Sequence, residues 1–121
     1  MSARRADLPV ASERTLQAAI GEQLAALLPP GCYVTAIPAG DGKVTRAPAY
    51  RSGSPDMLVL VRGIAIGLEL KRDVRAKQSA AQREVERDWR LAGGVYAVCR
   101  TPEEAVAVVA RFAPLRGRIS A

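Results

Sequence analysis

Apolar residues recur at helical spacing through Leu16, Ile20, Leu24 and Leu27, which marks one face of a helix. The stripe predicts a helix over about 13–28, with Ser12 as its N-cap and Pro29-Pro30-Gly31 as its stop. Residues 32–37 then read as a strand. The continuous apolar run over 57–61 reads as a buried strand. Arg62-Gly63 supplies a turn, and 64–71 forms the second arm of a hairpin. Ser79-x-x-Gln82 has the form of a capping box. It opens a helix with Val85, Trp89 and Ala92 on its apolar stripe, ended by Gly93-Gly94. A further buried strand follows over 95–99. Thr101-Pro102-Glu103-Glu104 reads as a second capping box with Pro at the first helical position, opening a helix to about 112.

The predicted order is α-β-β-β-α-β-α. The strand–helix–strand unit over 64–99 should be a right-handed crossover with parallel strands, whereas the hairpin before it is antiparallel. A mixed central sheet flanked by helices follows, in a single α/β domain over 12–113. Residues 1–11 read as a flexible basic arm and 114–121 as a basic tail. Residues 38–54, rich in Gly, Pro and Ala and carrying Lys43, Arg46 and Arg51, read as a mobile basic loop of the kind that carries function.

Composition narrows the chemistry mainly by what is missing. The 121 residues contain no histidine, which removes Ser-His-Asp and Cys-His nucleophile systems and imidazole zinc sites. Cys32 and Cys99 form no CxxC pair, so a thiolate zinc site is also excluded; both are expected as buried free thiols. No apolar h-region follows Arg4-Arg5 and no run is long enough to span a bilayer, so a cytoplasmic location without membrane contact is expected. The charge balance of 18 Lys+Arg to 12 Asp+Glu, net +6, favours a polyanionic partner such as nucleic acid. Any catalysis must then use carboxylates, Lys, Arg or hydroxyls with a hard metal ion.

Asp56 leads the 57–61 strand after Gly53-Ser54-Pro55, and Glu69 and Lys71 lie two apart on the next strand, hence on one face. The hairpin folds all three to one sheet edge. Two neighbouring carboxylates repel each other unless a cation stands between them, and Mg²⁺ or Mn²⁺ suits such oxygen ligands. The carbonyl of Leu70 offers a further ligand. Lys71 would orient a water or stabilise charge developing on a phosphate. An ExK triplet by itself is common on a wet strand face; the apolar setting of this one sets it apart, because charges ending a buried hairpin cost stability. Glu13 falls within the core-facing stripe of the first helix and Glu22 opposite it. Glu13 is therefore a candidate fourth acid and Glu22 a solvated one, although a first-turn acid is also favoured by the helix dipole alone. Gln82 is a capping residue and also a candidate to hold water or phosphate. Arg72, Arg75 and Lys77, beside Lys71, form a basic patch that with Lys43, Arg46 and Arg51 would grip a nucleic-acid backbone.

The segment GSPDMLVLVRGIAIGLELKRDVRAKQSAAQREVERDWRLAGGVYAVCRTPEEA resembles the VRR-NUC domain, a branch of the PD-(D/E)XK nuclease superfamily. Gly53-Ser54-Pro55-Asp56 matches its G-x-P-D, Glu69-Leu70-Lys71 its E-x-K, Ser79 and Gln82 its helix start, and Gly93-Gly94 its helix-ending glycines. The leading Glu of the family's first helix falls on Glu13, and the likeness runs over about 12–112. It implies a restriction-endonuclease-like αβββαβ core, divalent-metal phosphodiester cleavage and DNA as substrate, with branched DNA such as four-way junctions and homodimers in some members. Pro38-Ala39-Gly40-Asp41-Gly42 departs from the Asn-Gly element common in relatives, which bears on substrate contacts more than on chemistry. Two other readings stand beside a DNA endonuclease: a non-catalytic DNA-binding subunit of the same fold, and an RNA nuclease.

Overall fold

The computed structural model describes residues 13–38 and 49–114. The predicted basic arm, the Ser12 cap, Lys43, Arg46, the departure over 39–42 and all of the basic tail beyond 114 lie outside the described residues. Helix α1 (Glu13–Leu27) is followed by strands β1 (Cys32–Ala36), β2 (Met57–Val61) and β3 (Ile64–Leu70), helix α2 (Ala80–Leu91), strand β4 (Val95–Cys99) and helix α3 (Pro102–Ala110). This is the predicted order, and the sheet runs β1-β2-β3-β4. β1–β2 and β2–β3 are antiparallel and β3–β4 is parallel, giving the mixed α/β sheet expected.

The β2–β3 hairpin turns through Arg62 and Gly63 with φ of 48° and 85°, the two positive values of a tight type I′ connection. Register follows from that turn: Val61 faces Ile64 and Met57 faces Leu68. One side of the sheet then presents Met57, Val59, Val61, Ile66, Leu68 and Leu70 to Leu16, Ile20 and Leu24 of α1 and Ala105 and Val109 of α3, forming the apolar core. The alternate residues of β3, Gly67 and Glu69, turn to the opposite side, beneath α2. Gly67 is what allows α2 to settle there. A Cβ at that position would lie 2.9 Å from Pro55 Cγ and 3.0 Å from the Trp89 ring, closer than packed carbon atoms tolerate. With the methyl absent, the indole lies on the strand and its Nε1 donates to the Ala65 carbonyl at 3.1 Å.

Element ends differ from expectation by one or two residues. β3 stops at Leu70, so Lys71 stands just past the strand, although its N–H still donates to the Cys99 carbonyl at 3.0 Å. α3 stops at Ala110 because the N–H groups of Arg111 and Phe112 bond back three residues, to Val108 and Val109, tightening the last turn. The first predicted capping box is complete: Ser79 accepts from Gln82 N–H and Gln82 accepts from Ser79 N–H. The second is not. Thr101 accepts from Glu104 N–H, but the Glu104 carboxylate reaches one residue further back, to Arg100 N–H at 2.7 Å. Cys99 is buried and Cys32 half-buried, both as free thiols. Burial, then the charge of Glu104, pushes the Cys99 thiol up to about 11, so it stays protonated and unreactive at neutral pH. Among the described residues no helix is long and apolar enough to cross a membrane.

Candidate active site

Pro55 is buried and carries no N–H, so the β2 ladder ends on Asp56. Asp56 continues the pairing with main chain and side chain: its N–H donates to the Leu68 carbonyl at 2.9 Å, and its Oδ2 accepts from Leu70 N–H at 2.7 Å. That contact fixes the carboxylate against the main chain of Leu70, between Glu69 and Lys71, as the hairpin geometry predicts. The Asp56 carbonyl is held from two sides, by Ile37 N–H at 2.8 Å and by the Gln17 side chain of α1 at 2.9 Å. The acid is thus anchored to α1, to the residue that follows β1 and to β3 at once.

Glu69 is fully buried, deeper than a sheet-edge position suggests, because α2 closes over its side of β3. Its two oxygens live in different surroundings. Oε1 accepts from the Tyr96 hydroxyl at 2.5 Å and from Gln78 Nε2 at 2.9 Å. Oε2 is buried with no hydrogen-bond partner and lies 3.7 Å from Lys71 Nζ. Lys71 in turn donates to Gln82 Oε1 at 3.1 Å, the oxygen that also completes the Ser79 capping box. Gln82 therefore has a role beyond capping: the first turn of α2 fixes the ammonium of Lys71.

Electrostatics ties Glu13 to this group. Its pKa lies above the ordinary carboxylate range, through partial burial first and then the charge of Asp56, with Lys71 opposing and Glu69 adding to the rise. Asp56 is also raised. Burial is the main cause, the Leu70 N–H opposes it, and Glu69 and Lys71 add smaller effects of opposite sign. Glu13 and Glu22 are both exposed, so Glu13 does not join the core; it is the cleft beside Asp56 that sets Glu13 apart. Glu13 and Asp56 share a cleft of about 460 Å³ with Arg14, Gln17, Ala36, Ile37 and Pro38.

The acids are not fully collected. Among the described residues no group of three or more His, Cys, Asp or Glu side chains stands ready to hold a metal ion. What is present is Asp56, whose pKa burial raises, and a buried Glu69 oxygen that has the Lys71 ammonium at 3.7 Å but no hydrogen bond; such oxygens suit a cation that retains water. Glu13 borders this pair, and the Leu70 main chain lies against Asp56.

The described basic residues have different surroundings. Arg51 pairs with Asp88 of α2 at 2.8 Å, tying the segment before Asp56 to that helix instead of presenting a lone cation. Arg75 and Lys77 are exposed, and Arg72 is half-buried. The connection carrying all three is pinned from below by Arg100, whose guanidinium donates to the carbonyls of Asp73 at 2.5 Å and Ala76 at 3.3 Å. Arg14, absent from the sequence-based candidates, is exposed at the cleft. Also missed were Gln17, Gln78 and Tyr96. The alternation of β4 puts Tyr96 on the face opposite Cys99, which was a readable signal, but its meeting with Glu69 depends on the parallel register that sets Gly67 beside Tyr96. Tyr96 is itself buried, and burial followed by its bond to Glu69 moves its phenol far above the ordinary value.

No family profile and no curated protein matches the chain. Solved structures do. A VRR_NUC domain protein superposes with a TM-score of 0.68 at 18% identity, covering 86% of this chain and 89% of its own. A second structure, described as a VRR_NUC domain, gives a TM-score of 0.60 at 25% identity over 83% of this chain and 96% of its own. The chain has the fold of these VRR-NUC domain proteins.

Proposed function

We propose that this protein is a Mg²⁺- or Mn²⁺-dependent nuclease that hydrolyses phosphodiester bonds of DNA, with Asp56, Glu69 and Lys71 at the reacting centre. The observation that carries this reading is the Glu69 carboxylate: fully buried, with one oxygen held by two donors and the other left without any, beside an ammonium and a second acid. Buried polar atoms are as a rule hydrogen-bonded, and Lys71 Nζ at 3.7 Å lies beyond hydrogen-bond distance of Oε2. Asp56 and Glu69 would hold the cation, with Glu13 and the Leu70 carbonyl as further candidates. Bound there, a divalent ion supplies Lewis acidity toward a phosphoryl oxygen and a water of lowered pKa.

The remaining work falls to the chain's own groups. Lys71, held by Gln82, keeps a positive charge beside the acids, where it orients a water or offsets charge developing on the phosphate. Arg14 at the cleft and the exposed Arg75 and Lys77 contribute backbone affinity that carries no sequence preference. A protein that only bound DNA would gain nothing from acids directed at phosphate, which disfavours the non-catalytic reading.

The test uses purified protein with labelled linear, flapped and four-way DNA and with RNA, with and without Mg²⁺. We expect cutting of DNA that requires the metal. Lys71→Ala should lower the rate by about 10²–10³-fold while DNA binding by gel shift changes little. Cutting that survives Lys71→Ala at the parent rate defeats the assignment, and cleavage of RNA alone transfers it to the RNA-nuclease reading. A preference for four-way DNA, with a dimeric mass in light scattering, is the outcome that the resemblance to junction-cutting homodimers leads us to expect.

A further inference from the structure

The hydrogen bonds around Glu69 do not stop at its first partners. Gln78 Nε2 bridges two acids, donating at 2.9 Å to Glu69 Oε1 and at 2.9 Å to Glu86 Oε1. The other oxygen of Glu86 accepts from Arg90 Nε at 3.0 Å and Nη2 at 2.8 Å. Arg90 Nη2 then donates at 2.9 Å to the main-chain carbonyl of Tyr96, whose hydroxyl returns to Glu69 Oε1. The ring is closed: Glu69, Gln78, Glu86, Arg90, Tyr96 and back to Glu69. Two members are held from outside as well. The Gln78 carbonyl accepts from Arg83 Nη1 at 2.9 Å, and the Tyr96 ring stands edge-on to Trp89 with centroids 6.3 Å apart.

We infer that this ring is a positioning clamp for the Glu69 carboxylate: Tyr96 and Gln78 both engage Oε1, which fixes the rotation of the carboxylate and leaves Oε2 as the oxygen offered to a divalent cation. The inference rests on the nuclease reading above and adds to it. Its basis is the asymmetry of the two oxygens. A carboxylate has room for about four hydrogen bonds over its two oxygens, yet both donors here converge on one, and the bare oxygen is the one facing Lys71. Partners one shell behind a metal ligand hold its orientation and basicity, and their loss typically costs about 10–100-fold in metal affinity or activity. Glu86 and Arg90 act one step further out, by holding Gln78 and the β4 main chain. Tyr96 and Gln78 are positioning residues, since they act through the Glu69 carboxylate.

The experiment measures Mn²⁺ binding to DNA-free protein by electron paramagnetic resonance, for the parent, Tyr96→Phe and Gln78→Ala, with melting temperature recorded for each. Tyr96→Phe keeps the ring against Trp89 and removes only the hydroxyl. Gln78→Ala lies outside the core, so it tests the clamp even if the tyrosine variant folds poorly. We expect Mn²⁺ to bind about 10-fold more weakly to each variant. The Mg²⁺ concentration for half-maximal cleavage should rise in parallel, and excess Mg²⁺ should restore most of the rate, which a merely structural loss would not permit. Variants that bind Mn²⁺ as tightly as the parent overturn the clamp and leave the nuclease reading standing. A parent that binds no Mn²⁺ overturns the metal reading and the clamp with it.

Discussion

Asp56→Asn is expected to abolish the metal-dependent cleavage proposed above and, in the absence of metal at neutral pH, to melt at a higher temperature than the parent. Both effects arise from the same charge. Burial raises the pKa of Asp56, Glu69 adds to the rise, and the Leu70 N–H and the Lys71 charge offset it only in part. The folded chain therefore holds the Asp56 proton more tightly than the unfolded chain. By linkage, the stability this group contributes is fully present below the unfolded carboxylate pKa, about 4, and is lost as pH rises through the higher folded value. Glu13 titrates in the same direction, partly because of Asp56 itself, so removing the Asp56 charge also relieves Glu13. Asparagine keeps an oxygen to accept from Leu70 N–H and carries no charge at any pH.

The melting-temperature gap between variant and parent should thus be small near pH 4 and widen toward pH 7. Adding Mg²⁺ should stabilise the parent by mass action and leave the variant almost unmoved, narrowing or reversing the gap. The rate should fall by at least about 100-fold, since losing a partner one shell behind a ligand already costs up to that much. Thermal melts over that pH range, with and without 10 mM Mg²⁺ (roughly the excess that makes linkage visible), check all three. A variant no more stable than the parent without metal, or stabilised equally by Mg²⁺, would show that the acid is not held in a state that a cation relieves. This is the familiar conflict in which a functional group is retained at a cost in stability.

The sequence displayed the fold more clearly than the machinery, and the reason differs from residue to residue. Leu16, Ile20 and Leu24 announced α1 because core burial imposes a 3.6-residue period that survives in any one sequence. The β2–β3 register was legible because a two-residue turn leaves one pairing, and it carried Asp56 to Glu69 and Lys71. Glu69 itself was visible as an acid in an apolar strand; its complete burial was not, since that depends on Gly67 admitting Trp89 and so on how α2 lies. Tyr96 and Gln78 reach Glu69 from 27 and 9 residues away, through a parallel crossover whose register no turn specifies. Arg51 shows the same limit from the other side. It reads as part of a basic surface, and the fold adds an exposed pairing with Asp88, on a helix 37 residues later, that no charge count shows. Charge counts report composition, whereas partnership is a tertiary property.

Gly53→Ala should damage both stability and rate, by a route that touches no acid. Gly53 has φ of +90°, and a Cβ there would lie 2.6 Å from both the carbonyl carbon and the oxygen of Ala81 and 2.9 Å from Gln82 N. These are main-chain atoms of the first turn of α2 and cannot swing aside as a flexible side chain would. The alanine variant meets two penalties: a left-handed backbone, about 1–2 kcal/mol, and overpacking, about 1–3 kcal/mol. Together they lower the melting temperature by on the order of 10 °C. The relief available is to part the Gly53–Asp56 segment from α2. That parting moves Asp56 away from the turn whose Gln82 fixes Lys71, and a misplacement of about 1 Å between such groups can cost about 100-fold in rate. Gly31→Ala separates the two penalties, because Gly31 has φ of +92° with nothing within 4 Å of its would-be Cβ. It should lose about 1–2 kcal/mol and keep the parent rate at a temperature where both variants are folded. If Gly53→Ala is destabilised but cuts as fast as Gly31→Ala, the seating of this loop on α2 matters to the fold alone, and the spacing between Asp56 and Lys71 must be set by the β2–β3 hairpin without help from the helix.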